Sequence, residues 1–180
     1  MEYLDIVDEN GQPTGQVVER EYAHRHGIRH RTSHVWLLRQ RDDIEILLQK
    51  RSLNKDSYPG CYDISSAGHI IAGSDFETSA LRELKEELGV EATIGQLHYI
   101  GTSYSDSFHI FHKQPFHNVQ VSHVYVLWYD GEMTLQKEEI ESVKWLSFEE
   151  CQRVVFENLI PNCIKKEELE MIKKYLEEKE

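Results

Sequence analysis

The chain has 180 residues, with 32 acidic against 20 basic side chains and a formal net charge of -12. A chain of this length buries roughly 70% of the surface that its unfolded form exposes, so a single domain over 1–180 is expected to be stable without disulfides or a structural metal. The acidic balance excludes general nucleic-acid binding through a basic surface, and the apolar runs are too short for a membrane-spanning helix.

The N-terminal stretch MEYLDIVDENG carries acids where a secretory leader carries a basic patch and an apolar core, which predicts a cytoplasmic protein. Cys61, Cys151 and Cys163 are odd in number and lack CxxC spacing, so they fit reduced packing thiols.

Tyr3 to Val7 reads as a strand, Asp8-Glu9-Asn10-Gly11 as a turn and Gly15 to Glu19 as the partner strand. Arg20 to His34 then holds His24, His26, His30 and His34. Imidazoles at short spacing can bind zinc or a similar ion, but no carboxylate or cysteine completes a ligand pattern here. The favoured reading is therefore a basic, substrate-facing or surface segment. Ser33 to Arg39 and Ile44 to Arg51 are apolar, β-rich runs joined by a polar turn, a second hairpin of buried strands. Arg51 ends this hairpin, and the loop that follows contains Lys55 and Tyr58-Pro59-Gly60. The guanidinium fork and the ammonium point charge suit phosphate oxygens, although an exposed basic pair fits equally well. Between Arg20 and Lys55, nine basic residues face only Glu21, Asp42, Asp43 and Glu45, a local positive bias suited to a small anionic substrate such as a diphosphate.

Tyr62 to Ile71 reads as a strand leading into Gly68–Val90, GHIIAGSDFETSALRELKEELGV. Within that stretch Phe76, Ala80, Leu84 and Leu88 recur every four residues and predict a helix, begun by Ser74 with Glu77 as a capping box and ended by Gly89. Glu83, Glu86 and Glu87, at i, i+3 and i+4, bring three carboxylates to neighbouring positions of that helix. Glu87 falls between Phe76 and Ala80 on the helical wheel, toward the core, where a carboxylate is costly unless paired or bound to a cation. A hard divalent cation with oxygen ligands meets that need.

Beyond the helix, Ala92 to Ser103 and Val119 to Tyr129 read as strands, with a ring-rich loop from Asp106 to Asn118 between them. Phe108 and Phe111 in that loop, or the neighbouring Tyr104, could stack on the group attached to a diphosphate, the competing reading being a loop anchored on the core by its phenylalanines. Glu141 to Leu146 reads as the last strand, with Val143 and Trp145 as core candidates. Ser147 caps a helix that ends before Pro161, and Asn162 is expected to cap a final helix with Leu169, Ile172 and Leu176 as its buried stripe. This order predicts an α+β fold, an α/β/α sandwich with a mixed β-sheet flanked by helices.

Gly68 followed by Arg82-Glu83-Leu84-Lys85-Glu86-Glu87-Leu88-Gly89-Val90 resembles the Nudix box, whose closing half reads REUxEExGU with U aliphatic. The resemblance implies Mg²⁺ or Mn²⁺ held by Glu83, Glu86 and Glu87, with the backbone carbonyl near Ala67 or Gly68 as a further ligand. It also implies Glu83 or Glu86 as the base for an attacking water, structural roles for Gly68, Arg82 and Gly89, and a small-molecule diphosphate substrate held by Arg51, Lys55 and His69. The first glutamate of the box falls on Ser74, which leaves Asp75 or Glu77 as the expected partner of Arg82. The N-terminal LDIVDENGxPTG, LLQKRSxxK, PG and AGH segments are similar to the isopentenyl-diphosphate isomerase branch of that superfamily. The isomerase's catalytic cysteine is Ala67 here, and its later glutamate strand reads Asn118-Val119-Gln120 with no carboxylate. Alkene isomerisation needs a proton donor and an acceptor, so hydrolysis of a diphosphate is favoured, ahead of a Nudix-fold nucleotide-binding or sensor protein and, third, the isomerase. Both monomer and homodimer remain open.

Overall fold

The strand His30–Gln40 alternates side chains between two covered faces, and every residue from His30 to Leu38 is buried. Val35–Leu38 form the apolar run expected of a strand covered on both sides, while His30–His34 are buried polar residues. The computed structural model, which describes residues 1–180, puts this strand at the centre of a seven-stranded mixed sheet.

In chain order the elements are β1 (Tyr3–Val7), β2 (Pro13–Glu19), α1 (Arg20–His26), β3 (His30–Gln40), β4 (Ile44–Arg51), β5 (Tyr62–Asp63) and β6 (Ser66–His69). They continue with α2 (Phe76–Leu88), a 3₁₀ turn at Ile94–Gln96, β7 (His98–Phe111), β8 (Gln114–Trp128), β9 (Ile140–Ser147), α3 (Phe148–Phe156) and α4 (Lys166–Lys179). β1 and β2 form a separate antiparallel hairpin, while the large sheet runs β5-β4-β3-β8-β7 with β9 on β4 and β6 on β3. β3 and β8 are parallel and the other pairs antiparallel. β3 meets β4 only through Leu38–Gln40 against Ile44–Ile46; beyond that the strands part, and β6 and β5 take the edges so released. That fork brings Ser66–His69 into the middle of the sheet.

One face of the sheet packs Val35, Leu37, Leu47, Tyr125 and Leu127 against Ala80, Leu84 and Leu88 of α2. The opposite face packs Trp36, Leu38, Ile46 and Val126 against Cys151 and Val155 of α3 and Leu169 and Ile172 of α4. The result is the expected α/β/α sandwich, with Val143 and Trp145 half-buried at its side. All three cysteines are free.

Several local readings change. α2 is capped by Asp75, whose Oδ1 accepts from Thr78 N at 2.7 Å, and not by Ser74; an aspartate one residue on satisfies the same free N–H groups. At the other end Gly89 adopts φ +66°, its N–H donates to Lys85 O and the N–H of Val90 donates to Leu84 O, a left-handed closure suited to glycine. Asn162 does not cap α4. Its Oδ1 accepts from Ile164 N, and Lys165 stands at the cap without a side-chain bond. The ring-rich stretch 106–118 is not a loop, since β7 and β8 pair through it to a tight turn at His112 and Lys113, both at positive φ. Alternating side chains satisfy two strand faces there, and the usual turn glycine is absent. The segment from Arg20 to His34 divides into α1 and the start of β3, and the predicted strand Tyr62–Ile71 is two short strands.

The N-terminal hairpin is tied to the loop before α2. Leu4 bridges Ile71, and Asp5 Oδ2 accepts from both Arg31 Nη2 and Gly73 N at 2.9 Å. Arg31 Nη2 also donates to Ser74 O at 3.0 Å. Asp5→Ala leaves a buried guanidinium and a backbone N–H without their shared acceptor, and we expect a loss of about 2 kcal/mol in urea denaturation; a change below about 0.5 kcal/mol would show the tie to be incidental.

Candidate active site

β6, the C-terminal half of α2, α1, the first part of β3, the end of β4, the middle of β7 and the start of β8 enclose a cleft of about 430 Å³. Glu83, Glu86 and Glu87 all line it, together with Ala67, Gly68, His69, Arg51 and Lys55, so the residues nominated for the metal and for the diphosphate lie around one cleft.

Glu87 is buried, as the helical wheel requires. Its Oε1 accepts from Ser66 Oγ at 3.1 Å and from Ala67 N at 3.2 Å, and its Oε2 accepts from Gln49 Nε2 at 3.1 Å. Burial, with the Glu83 charge nearby, outweighs these donors and pushes the carboxyl up to about 8. A side chain that ionises at neutral pH only with a compensating cation, beside two further carboxylates, fits a divalent metal site.

Glu83 Oε1 accepts from Arg82 Nη2 at 2.9 Å; burial still raises its pKa, against the pull of Arg82. Arg82 therefore finds its partners in Glu83 and in His69 O at 3.1 Å, not in Asp75 or Glu77, and its buried Nε has no acceptor. Glu86 is exposed at the rim and makes no hydrogen bond or ion pair. Gly68 is required by this packing, because a Cβ there would lie 2.2 Å from the Glu83 carboxyl carbon. Gly68→Ala must displace Glu83, and we expect at least ~100-fold lower turnover with the fold retained by circular dichroism. Turnover within threefold of wild type would show that Glu83 is not needed in its place.

The basic residues nominated for the diphosphate are less free than the sequence suggests. Arg51 Nη1 pairs with Asp63 Oδ2 at 3.1 Å, and its Nε and Nη2 donate to Ser57 O and Oγ. Lys55 pairs with Glu139, an acid that no motif marks within its charged run. His69 is held neutral, because burial and the nearby cations push its pKa well down. It offers a neutral ring nitrogen to the cleft and not a positive charge.

His24 and His30 are buried, with His24 lining the cleft, while Arg25 and His26 of the same segment are exposed. A ring nitrogen from each of His24, His30 and His69 lies within 4.8 Å of the others, and His24 Nε2 is 3.2 Å from His69 Nε2. Burial pushes His24 down to about 3 and His30 to about 4, which keeps both neutral, and His30 Nε2 is buried without a partner. Three neutral imidazoles with an unpartnered nitrogen could hold a soft or borderline cation. Spacing could not reveal the trio, since its members come from α1, β3 and β6.

Of the aromatic residues, Phe116 and Tyr58 line the cleft; Phe111 packs on Tyr58 at 4.7 Å between ring centroids, while Phe108 and Tyr104 are exposed away from it. Gln49, Asn118, Gln120 and His34 complete polar parts of the wall.

A family model described as the NUDIX domain matches residues 28–163. Nudix hydrolase 3 of Arabidopsis thaliana is 38% identical over 154 residues, 83% of this chain, which spans only 20% of that longer protein. A Nudix hydrolase of Clostridium acetobutylicum is 35% identical over 156 residues, covering 84% of this chain and 73% of the relative. Among solved structures, DR0079 from Deinococcus radiodurans superposes with a TM-score of 0.69 at 21% identity, covering 96% of this chain and 98% of that one, a likeness of fold. The MutT protein from Methanosarcina mazei gives a TM-score of 0.63 at 14% identity, over 84% and 96% of the two chains. With its glutamate helix, its Gly68 cradle and a family match over residues 28–163, this chain belongs to the Nudix family and is a Nudix-type hydrolase.

Proposed function

We propose that the protein is a Mg²⁺-dependent hydrolase that cleaves the diphosphate linkage of a nucleoside diphosphate derivative or a related small molecule, within the isopentenyl-diphosphate-isomerase-like branch of the family. The observation that carries this reading is the convergence of Glu83, Glu86 and the buried Glu87 on one cleft. Mg²⁺ or Mn²⁺ bound by these three carboxylates would neutralise charge on the diphosphate oxygens as the P–O bond breaks. Glu87 is fixed by Ser66, Ala67 and Gln49, and Glu83 by Arg82, so two of the carboxylates are preorganised. Glu86, open and unpartnered at the rim, is the better placed of Glu83 and Glu86 to take the proton of an attacking water. Arg51 and Lys55 can turn toward phosphate oxygens only by sharing their charge with Asp63 and Glu139.

The deciding experiment measures phosphate and nucleotide release from nucleoside di- and triphosphates, nucleotide sugars, dinucleotides and isopentenyl diphosphate, with Mg²⁺ or Mn²⁺ and with chelator. Metal-dependent cleavage that disappears in Glu86→Gln supports the hydrolase. No turnover, together with thermal stabilisation by one ligand, supports a nucleotide-binding protein, the reading that Ser74 in the first glutamate's place favours. Dimethylallyl diphosphate as product would support the isomerase despite Ala67.

The three-histidine cluster favours an additional reading as a second metal site. Stoichiometric Zn²⁺ binding that survives Glu87→Gln and is lost in His24→Ala supports it; binding unchanged in His24→Ala would overturn it.

A further inference from the structure

The cationic side chains around the cleft are almost all neutralised by a carboxylate. Arg20 pairs with Glu2 at 3.1 Å, Arg51 with Asp63, Lys55 with Glu139 and His34 with Glu168. Lys165 is the exception. Its Nζ donates to Ser103 Oγ at 3.3 Å and to Tyr104 O, both uncharged, and no acid lies within ion-pair distance. An ammonium group has three N–H donors, so one remains uncommitted. A half-buried cation without a counter-ion is costly in a chain of net charge -12, which has acids to spare.

His34 stands on the same wall and is itself unusual. Its Nδ1 lies 3.0 and 3.1 Å from the two oxygens of Glu168, a carboxylate with no exposed surface that also accepts from Trp36 Nε1 at 3.3 Å. Nε2 meets Thr32 Oγ1 at 3.2 Å, and that hydroxyl is 2.5 Å from Ser122 Oγ. Glu168 thus holds the His34 ring from behind while the ring and Thr32 line the cleft. The family match ends at residue 163, so Lys165 and Glu168 both come from a segment outside it.

We propose that Lys165 and the His34–Glu168 pair form an anion subsite in this cleft, separate from the three box glutamates, which takes a phosphate group of the substrate other than the diphosphate being cleaved. Lys165 is the one lysine or arginine of the cleft without a carboxylate partner, and a phosphate group would supply its counter-charge. The subsite deepens the hydrolase reading and rests on it for the identity of the bond broken. It selects substrates with at least one anionic group beyond the cleaved linkage.

Inorganic phosphate titrated calorimetrically into the full chain in EDTA tests the subsite without the box. Wild type is expected to bind, Lys165→Met to bind at least fivefold more weakly, Lys165→Arg to retain affinity and Glu86→Gln to match wild type. Equal affinity in Lys165→Met and wild type, or an equal loss in Glu86→Gln, overturns the assignment. In Mg²⁺, Lys165→Met is expected to raise KM at least fivefold for a nucleoside triphosphate and less than twofold for the matching diphosphate. An equal rise for both means that Lys165 holds the scissile diphosphate, and no rise for either means that the site takes free phosphate only; both overturn the substrate assignment. Absence of turnover in wild type defeats the hydrolase reading alone, since phosphate binding in EDTA still decides whether the anion site exists.

Discussion

Glu87→Gln is expected to reduce metal-dependent turnover by at least ~100-fold without lowering the thermal midpoint of the metal-free protein. The two effects separate because the carboxyl is pushed up to about 8 and is therefore already protonated at pH 7 when no cation is bound. An amide of the same shape replaces a neutral acid at little cost to the fold, yet it cannot supply the negative charge that a divalent cation requires. The sign for stability follows from the raised value. The carboxyl's contribution is present in full below its ordinary 4.5 and is lost as the pH climbs through about 8. Metal-free wild type should thus lose stability across that window more steeply than Glu87→Gln. Turnover assays with a Mg²⁺ titration, alongside thermal melts in EDTA, measure both halves; retained turnover would remove Glu87 from the metal site.

The second large effect is expected at the opposite face. Glu168→Ala should destabilise the protein by about 3 kcal/mol, or roughly 10 °C in thermal midpoint. It removes the only charged partner of a buried imidazole and an acceptor for Trp36 Nε1. The figure stays at the low end for a broken buried pair because His34 can shed its proton, an escape closed to arginine or lysine. Burial by itself would lower the His34 pKa, but Glu168 more than offsets it, with Asp63 assisting and Lys165 opposing, so the value is raised. The stability this pair contributes is complete below the ordinary 6.5 and is lost as the pH rises through the raised value in the fold. Urea denaturation at a series of pH values should show a decline above 6.5 in wild type that is absent in Glu168→Gln. The same slope in both would separate His34 from the pH dependence.

The glutamate helix was legible in the chain because helical periodicity and a short motif are local properties. Three carboxylates at i, i+3 and i+4 share a side of any helix, and the apolar stripe that places Glu87 inward is written into residues 76–88. The apolar and alternating runs likewise located β3, β4 and the C-terminal part of β8, and the α/β/α layering followed from their order. The cap of α2 was legible to within one residue, since Asp75 does what Ser74 could equally have done, whereas Asn162 does not cap α4.

What the sequence by itself determined is the family, the fold class and the carboxylate cluster, all of which rest on contacts between residues close in the chain or on a contiguous motif. The tertiary structure decided how the charges are shared. Arg51 and Lys55 are occupied by Asp63 and Glu139, Arg82 turns to Glu83, and Asp5 reaches Gly73 across the N-terminal hairpin. It also gathered His24, His30 and His69 from three elements and carried Glu168 to His34, 134 residues earlier. Ion pairing and ligand geometry depend on where side chains end in space, and the splaying of β3 from β4 that sets those positions leaves no periodic trace in the chain.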